Sequence, residues 1–156
     1  MEIRSITAAE ARTVRHPILR AGLPPESAIL DHDDDAGTRH FGAYDRARLV
    51  GVATFFAEPC PLRPGLRAWR LRGMATVVDM QGRGAGRALV AEGIRVAAVD
   101  GAALIWCNAR VSARGFYEKV GFVAAGGEFE LPASGKHYLM TKDLSTNTLS
   151  RCSTND

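Results

Sequence analysis

The sequence of 156 residues lacks the features that are typical of membrane, secreted and metal-binding proteins. No apolar run approaches the length of a membrane span, so no membrane partner is expected. The first residues, MEIRSITAAEA, hold no apolar signal-peptide core, and a cytoplasmic protein is expected. The cysteines at positions 60, 107 and 152 have no C-x-x-C spacing and suggest no disulfide framework. The four histidines show no metal-ligand spacing, so no metal is expected.

Aromatic residues are also scarce, at 7% of the chain, and the arginines are scattered. Single-stranded nucleic acids bind to aromatic stacking platforms beside a basic groove, so this composition argues against a nucleic-acid partner. The net charge of +3 also suits a polyanionic cofactor. With 46% hydrophobic and 24% charged residues, the chain can bury one ordinary core. We expect one domain over residues 1–144 and a polar, flexible tail at 145–156.

The spacing of apolar residues predicts a mixed α/β protein. Strand patterns cover 2–6, 40–43, 49–56, 67–78, 102–109, 122–131 and 137–142. Helical spacing covers 84–98 and 112–120, with Gly121 as the expected C-terminal cap of the second helix, and residues 26–30 form a candidate helical turn. A further helix begins at the capping box Thr7–Glu10 and is expected to end or kink at Pro17. The predicted order is strand, two helical segments, three strands, helix, strand, helix and two strands.

The most informative stretch is the glycine-rich turn that follows the fourth strand pattern. It reads QGRGAGR from Gln81 to Arg87. Three glycines in five residues let backbone N–H groups approach a ligand closely, and a helix that begins there adds the positive end of its dipole. Such a turn can cradle a pyrophosphate. Its spacing fits neither the G-x-G-x-x-G dinucleotide fingerprint nor a P-loop, which requires Gly-Lys-Ser or Gly-Lys-Thr.

The turn instead fits the pattern Q-x-x-G-x-G after a strand. A second pattern, A-x-x-x-Y-x-K-x-G-F, follows a later strand and runs from Ala113 to Phe122. Together the two motifs resemble the GNAT superfamily of acyl-CoA N-acyltransferases, over residues 2–144. The segments 71–76, 108–110 and 135–138 are similar to an uncharacterised bacterial-type subgroup of it. The resemblance implies the GNAT fold, an α/β fold whose mixed central sheet has splayed strands and is flanked by helices.

The resemblance also implies acetyl-CoA as the cosubstrate. In this family the strand before the turn pairs with the pantetheine arm, the turn holds the pyrophosphate, and a helix tyrosine protonates the departing thiolate. The matching tyrosine is Tyr117, whose alternative role is packing beside Phe116. The implied cofactor-binding residues are Met74, Ala75, Thr76, Gln81, Gly82, Arg83, Gly84, Ala85, Gly86, Arg87 and Tyr117.

Two positions depart from the family pattern. Arg110 stands where many members have asparagine, and Arg70 stands where histone-acetylating members have the catalytic glutamate. A histone-type mechanism is therefore not expected. His137 is a candidate for the base that deprotonates the amine, Glu128 and Glu130 are others, and a water chain to solvent is an equal alternative.

Candidate acceptor-binding residues lie on two strands. Arg70 and Arg72 alternate with their neighbours and so share one face of a strand. If that face lines the acceptor pocket, they can pair with an anionic group, whereas pairing with a nearby carboxylate is the simpler interpretation, most of all for Arg70. With the residues implied by the resemblance, the expected acceptor-binding set is Arg72, Asn108 and Arg110. Arg15, His16 and Arg20 can either bind the substrate or form a solvated helix face, and the solvated face is the default expectation. The acidic loop Asp31–Asp35 is also expected to be solvated.

These observations predict an acetyl-CoA-dependent N-acetyltransferase. The expected acceptor is a primary amine on a small molecule that attacks the thioester directly. A protein lysine or N-terminus stays open as the acceptor, and so does a non-catalytic acyl-CoA-binding module. Tyr117 favours the enzyme, whereas the lack of an obvious base favours the module. The sequence leaves a homodimer open.

Overall fold

The computed structural model describes residues 1–132 and 134–144, so the tail predicted at 145–156 lies outside the described residues. The strands are β1 (Glu2–Ser5), β2 (Arg39–Asp45), β3 (Arg48–Ala57), β4 (Ala68–Thr76), β5 (Leu104–Arg110), β6 (Val123–Leu131) and β7 (Gly135–Asp143). The helices are α1 (Ala8–Leu19), α2 (Ala85–Val99) and α3 (Arg114–Lys119). Short 3-10 turns occur at Pro25–Ala28, Val78–Met80 and Val111–Ala113. This order confirms the predicted mixed α/β layout.

The strands form one mixed sheet in the order β1-β2-β3-β4-β5-β7-β6. Neighbouring strands are antiparallel except for β4 and β5, which run parallel and pair only over Ala68–Arg70 and Leu104–Trp106. Beyond these residues the two strands separate, so the sheet is splayed as expected. In the described part of the chain, the later half of β4 has no strand partner on its β5 side.

A bulge in β4 lies at the start of the splayed region. The pairing of β3 with β4 shifts register between Val52 and Thr54, opposite Gly73. Gly73 has φ +61°, which favours glycine, and a Cβ there would lie only 2.6 Å from Nε of Arg15. The bulge therefore lets the side chain of Arg15 pass close to the backbone of β4.

The N-terminal helix begins as predicted and continues past Pro17. The hydroxyl of Thr7 accepts from the N–H of Glu10, and the carboxylate of Glu10 accepts from the N–H of Thr7, both at 3.1 Å. Of the two outcomes expected at Pro17, an end or a kink, the structure excludes the end, because α1 continues to Leu19 with Pro17 inside it. Proline removes one backbone donor, and the N–H of Arg20 still donates to His16 at 2.9 Å to close the last turn.

Helices cover both faces of the sheet. Ala11 and Val14 of α1 pack with Val52, whereas Leu89 and Val90 of α2 pack in the main core with Phe55. Since successive residues of a strand point to opposite faces, α1 and α2 lie on opposite sides of β3. Within the described residues, no helix is long and apolar enough to cross a membrane.

Candidate active site

One cleft lies along the glycine-rich turn and has a volume of about 500 Å³. We call it the glycine-turn cleft. It is lined by Met74, Thr76, Gln81, Gly82, Gly84, Ala85, Gly86, Arg87 and Tyr117 of the predicted cofactor set, and also by Ile18, Met80, Ala113, Phe116, Lys119 and Val120. Sequence reasoning did not assign Lys119 to the site, although this residue belongs to the second motif.

The turn presents its backbone to this cleft. The side-chain amide of Gln81 donates through Nε2 to the carbonyl of Thr76 at 3.0 Å and so ties the turn to the end of β4. Gly82 and Gly84 have φ +77° and +94°, and a Cβ on either would meet no atom within 4 Å. Gly84 is the N-cap of α2 and provides no side-chain cap, so N–H groups of the first helical turn remain available to a ligand.

The structure adds detail on three predicted residues of this region. The side chain of Ala75 packs against α1 and does not line the cleft, and Arg83 is exposed outside the lining. Gly86 lines the cleft as expected, and a Cβ on it would also lie 2.9 Å from the ring of Phe116. The absence of a side chain at Gly86 therefore also lets α2 and α3 pack closely.

A second pocket is lined by residues of both splayed strands, β4 and β5, and has a volume of about 170 Å³. We call it the arginine pocket, because its lining includes Arg15, Arg20, Arg70, Arg72 and Arg110. The predicted residues Arg72, Asn108, Arg110 and His137 all line it. Glu128 and Glu130, the other candidate bases, line neither this pocket nor the cleft.

The two arginines of β4 have different partners. Arg70 donates to Glu58 at 3.0 Å and stacks over the ring of Trp106, which agrees with the predicted carboxylate partner. Arg72 has no carboxylate within ion-pair distance among the described residues. Burial, followed by the charge of Arg70, lowers the pKa of Arg72. Asp31 and Glu58 oppose this shift from a distance, but within the described residues Arg72 forms no ion pair with either of them.

Tyr117 lies between the two cavities and lines both. Its side chain is 7% exposed, and its hydroxyl lies 3.8 Å from Sδ of Met74. Burial raises the pKa of Tyr117 well above its usual value of 10.0, so the phenol keeps its proton at neutral pH. Gly121, with φ +98°, ends α3 as predicted, and the N–H of Phe122 donates to the carbonyl of Tyr117 at 2.9 Å. This helix end helps to hold the tyrosine in place.

His137 is 4% exposed and has a defined orientation. Its Nδ1 lies 2.7 Å from the carbonyl oxygen of Gly135. A carbonyl oxygen only accepts hydrogen bonds, so Nδ1 carries a hydrogen and the neutral ring has its lone pair on Nε2. Cys107, which also lines the arginine pocket, is a buried residue of the main core, and burial raises the pKa of its thiol to about 12.

A buried polar cluster contradicts the expectation of a solvated surface for Arg15 and Asp33, whereas the other residues of the acidic loop are exposed as expected. Arg15 is 1% exposed and donates to Asp33 at 2.7 Å, to the carbonyl of Ala28 at 2.8 Å and to Thr54 at 2.8 Å. Asp33 is buried as well. A signal was present in the sequence, because Arg15 lies on the apolar stripe of α1, four residues after Ala11.

The other two basic residues of the N-terminal segment behave differently from each other. His16 is part of the surface, where its Nε2 lies 2.8 Å from the carbonyl of Leu23. Arg20 lines the arginine pocket and donates to the carbonyl of Ser27 at 3.2 Å, so the expectation of a solvated helix face is wrong for Arg20. Its position follows from α1 continuing past Pro17 to Leu19.

A splayed mixed sheet with a glycine-rich turn at a helix N-terminus is the arrangement that the resemblance to the GNAT family predicts. The model of the acetyltransferase (GNAT) family matches residues 7–122. The chain is also 33% identical over 147 residues to "Uncharacterized N-acetyltransferase YitI" of Bacillus subtilis (strain 168), covering 94% of this chain and 99% of that protein. The chain therefore belongs to the GNAT family and is an N-acetyltransferase.

Solved structures show the same fold. An aminoglycoside 6'-N-acetyltransferase complexed with coenzyme A is 16% identical, with a TM-score of 0.73 and coverage of 93% of this chain and 98% of that chain. The ribosomal-protein-S18-alanine N-acetyltransferase from Escherichia coli is 18% identical, with a TM-score of 0.68 and coverage of 92% and 94%. One of these proteins is named for a small-molecule acceptor and the other for a protein acceptor, so the fold alone does not identify the acceptor.

Proposed function

We propose that this enzyme transfers an acetyl group from acetyl-CoA to a primary amine on a small molecule, with residues 1–144 as the catalytic domain. One observation carries the proposal: the glycine-turn cleft and the arginine pocket meet at Met74, Ala113 and Tyr117, which line both. A donor in one cavity and an acceptor in the other would have their reacting ends at this junction. We also propose that the enzyme is cytoplasmic. The sequence is compatible with a monomer or a homodimer.

The glycine-turn cleft fits acetyl-CoA. The uncapped N-terminus of α2 and the open backbone at Gly82 and Gly84 suit a pyrophosphate, and Arg83 and Arg87 add positive charge. On the β5 side, the backbone of Met74–Thr76 has no strand partner among the described residues, which leaves its polar groups for the pantetheine arm. When bound, acetyl-CoA supplies the thioester that the amine attacks and the thiolate that leaves.

Two side chains are assigned to proton transfer. Tyr117 donates a proton to the thiolate, because its buried phenol is protonated at neutral pH and borders both cavities. His137 accepts the amine proton through Nε2, since Nδ1 faces the carbonyl of Gly135. Arg72, Asn108 and Arg110 bind the acceptor in the arginine pocket.

The size and charge of the arginine pocket favour a small acceptor over a protein. Its volume is about 170 Å³, and no Asp or Glu of the described chain lines it. A lysine-bearing peptide would bring further positive charge to a pocket that already holds several guanidinium groups, and like charges repel.

The proposal is tested by incubating the protein with acetyl-CoA and a panel of small amines and lysine peptides. Thiol release and the mass of the product are measured. We expect acetylated small amines. Acetylation of peptides alone would overturn the small-molecule assignment, and binding of acetyl-CoA without thiol release from any amine would indicate the non-catalytic module.

The role of Tyr117 is tested in the same assay with Tyr117→Phe. The variant keeps the ring and loses the proton, so we expect kcat to fall by about tenfold to a thousandfold. The affinity for acetyl-CoA and the melting temperature should stay nearly unchanged. Tyr138→Phe is the matched control, because the hydroxyl of Tyr138 lies 3.4 Å from Glu128 and Tyr138 lines neither cavity. A wild-type kcat in Tyr117→Phe, with chemistry rate-limiting, would show that Tyr117 is structural.

A further inference from the structure

The arginine pocket concentrates positive charge in a protein whose overall charge is nearly balanced. The chain has 20 Lys and Arg against 17 Asp and Glu. Five arginines line this one pocket, and no carboxylate residue of the described chain lines it. The arginines come from different elements, since Arg15 lies on α1, Arg72 on β4 and Arg110 on β5. The fold therefore brings these charges together from distant parts of the sequence.

Only two of the five arginines have a carboxylate partner among the described residues. Arg15 pairs with Asp33 at 2.7 Å, and Arg70 pairs with Glu58 at 3.0 Å. The other three, Arg20, Arg72 and Arg110, form no ion pair within residues 1–132 and 134–144. Arg20 and Arg110 donate only to backbone carbonyls, and both of them contact the carbonyl of Leu19. A carbonyl accepts hydrogen bonds from a guanidinium but does not neutralise it.

The three unneutralised guanidiniums also influence one another. Burial, then the charges of Arg110 and Arg15, lower the pKa of Arg20. Burial, then the charge of Arg70, lowers the pKa of Arg72, with Arg20 adding to this effect and with Asp31 and Glu58 opposing it. Such a cluster is stabilised by a bound anion, and a guanidinium pairs with a carboxylate or phosphate through two parallel hydrogen bonds.

We propose that the acceptor is a small primary amine that bears a carboxylate or phosphate, and that Arg72 binds this oxyanion together with Arg20 and Arg110. The inference rests on the proposed function, because it assigns the arginine pocket to the acceptor. The bound oxyanion anchors the molecule in the pocket and leaves its amine free to reach the junction at Tyr117.

The same charges assist deprotonation of the amine. An alkylammonium has a pKa of about 10.4 in water, and nearby positive charges disfavour its charged form. The arginine pocket therefore promotes loss of the proton, which passes to Nε2 of His137 or to water. A neutral amine is therefore available for attack, although no carboxylate base of the described chain lines the pocket.

The first test compares acceptors that differ only in their charged group. The matched compounds are β-alanine, propylamine and 1,3-diaminopropane, and a second pair is phosphoethanolamine and ethanolamine. We expect kcat/KM for the anionic member of each set to exceed that of the neutral member by about tenfold to a hundredfold. The two sets separate a carboxylate from a phosphate preference. Equal rates for anionic, neutral and cationic amines would overturn the inference and leave the proposed function intact.

The second test changes the arginines. Arg72→Gln and, independently, Arg20→Gln should raise KM for the preferred anionic amine by about tenfold or more, with little change in KM for acetyl-CoA. Arg72→Glu should shift the preference toward 1,3-diaminopropane. Arg95→Gln is the matched control, because Arg95 is exposed on α2 and pairs with Glu92. An anion preference that survives in both glutamine variants would overturn the assignment to these arginines.

A binding measurement separates this inference from the proposed function. N-acetyl-β-alanine keeps the carboxylate and has no reactive amine, and N-propylacetamide is its neutral counterpart. Calorimetry with coenzyme A present should show that the wild type and Arg95→Gln prefer N-acetyl-β-alanine, and that Arg72→Gln has lost this preference. Equal binding of the two amides by the wild type would refute the oxyanion site whatever the enzyme's activity. Lack of turnover with a retained preference would refute only the proposed function.

Discussion

Gly84 and Gly86 lie two residues apart and are required for different reasons. Gly84 has φ +94° beside an open cleft, whereas Gly86 makes room for the ring of Phe116. The sequence pattern does not distinguish them, because both read as glycines of one turn. The requirement at Gly86 arises because α3 packs against α2, and α3 lies nearly thirty residues further along the chain.

Gly84→Val should prevent acetyl-CoA binding while the protein stays folded. The left-handed conformation costs a branched residue about 1–3 kcal/mol, which a domain with about 5–15 kcal/mol of stability survives. The side chain would also occupy the space over the turn that a pyrophosphate needs. Gly101→Val is the matched control, since Gly101 has a similar φ of +84° and lines neither cavity. Calorimetry is the measurement, and an unchanged affinity in Gly84→Val would remove the turn from the cofactor site.

At the scale of elements, the packing of α2 on the sheet depends on a glycine in the middle of the helix. A Cβ on Gly93 would lie 2.1 Å from Cε1 of Phe55 on β3. Glycine lowers helix stability by about 1 kcal/mol relative to alanine. Gly93 therefore makes α2 intrinsically less stable, but it allows the ring of Phe55 to contact the helix backbone. The contact sets how near α2, which begins at the glycine-rich turn, lies to the sheet.

Gly93→Ala should therefore destabilise the protein in spite of its better helix propensity. The added methyl group should lower the free energy of unfolding by about 1–3 kcal/mol, because it overpacks this contact. Urea unfolding is the measurement. The double variant Gly93→Ala with Phe55→Leu should be less unstable than the sum of the single variants, because the smaller side chain makes room. Gly115→Ala is the control, since a Cβ there meets nothing within 4 Å. Simple additivity in the double variant would contradict the predicted clash.

At the scale of the whole molecule, the buried Arg15–Asp33 pair connects segments that are distant in sequence. Arg15 joins α1 to the loop at Ala28 and to Thr54 of β3. The two ring nitrogens of His40 on β2 lie 2.8 Å from Thr54 Oγ1 and from the carbonyl of Asp33. The cluster therefore holds α1, the acidic loop and two strands together behind the arginine pocket.

Asp33→Asn should lower the free energy of unfolding by about 3–5 kcal/mol, because it leaves Arg15 buried without its counter-charge. Burial by itself raises the pKa of Asp33, but the hydrogen bonds from Arg15 and from the N–H of Leu30 outweigh it, so the pKa lies below the usual 3.8. The folded state thus holds the ionised form more strongly than the unfolded chain does. The contribution is complete above the unfolded pKa and is lost as pH falls through the lower, folded pKa.

Urea unfolding of the wild type and Asp33→Asn from neutral to acidic pH measures this effect. The difference in stability should be constant near neutral pH and should shrink below about pH 4. The neighbouring variant Asp34→Asn is the control, because the side chain of Asp34 is 84% exposed and its change should cost little. A difference that persists unchanged at acidic pH would show that the effect of Asp33→Asn does not arise from its charge.

Much of the fold and part of the candidate site could be predicted from sequence because the signals are local. The Thr7–Glu10 capping box and the Gly121 helix end each depend on residues within one helical turn, and both occur as predicted. The glycine-rich turn lies between a strand and a helix for the same reason. The shared face of Arg70 and Arg72 followed from strand alternation alone.

The sequence by itself determined the order of the elements, the two motifs and the family, since these depend on residues close together in the chain. Only the tertiary structure decided which charges face one another. Arg15 meets Asp33 across 18 positions, Arg70 meets Glu58 across 12, and Arg20, Arg72 and Arg110 converge without a carboxylate partner among the described residues. The local sequence around an arginine does not show whether its side chain is solvated, ion-paired or directed into a pocket. Its surroundings depend on how the elements pack, and here the splay of β4 from β5 creates the pocket.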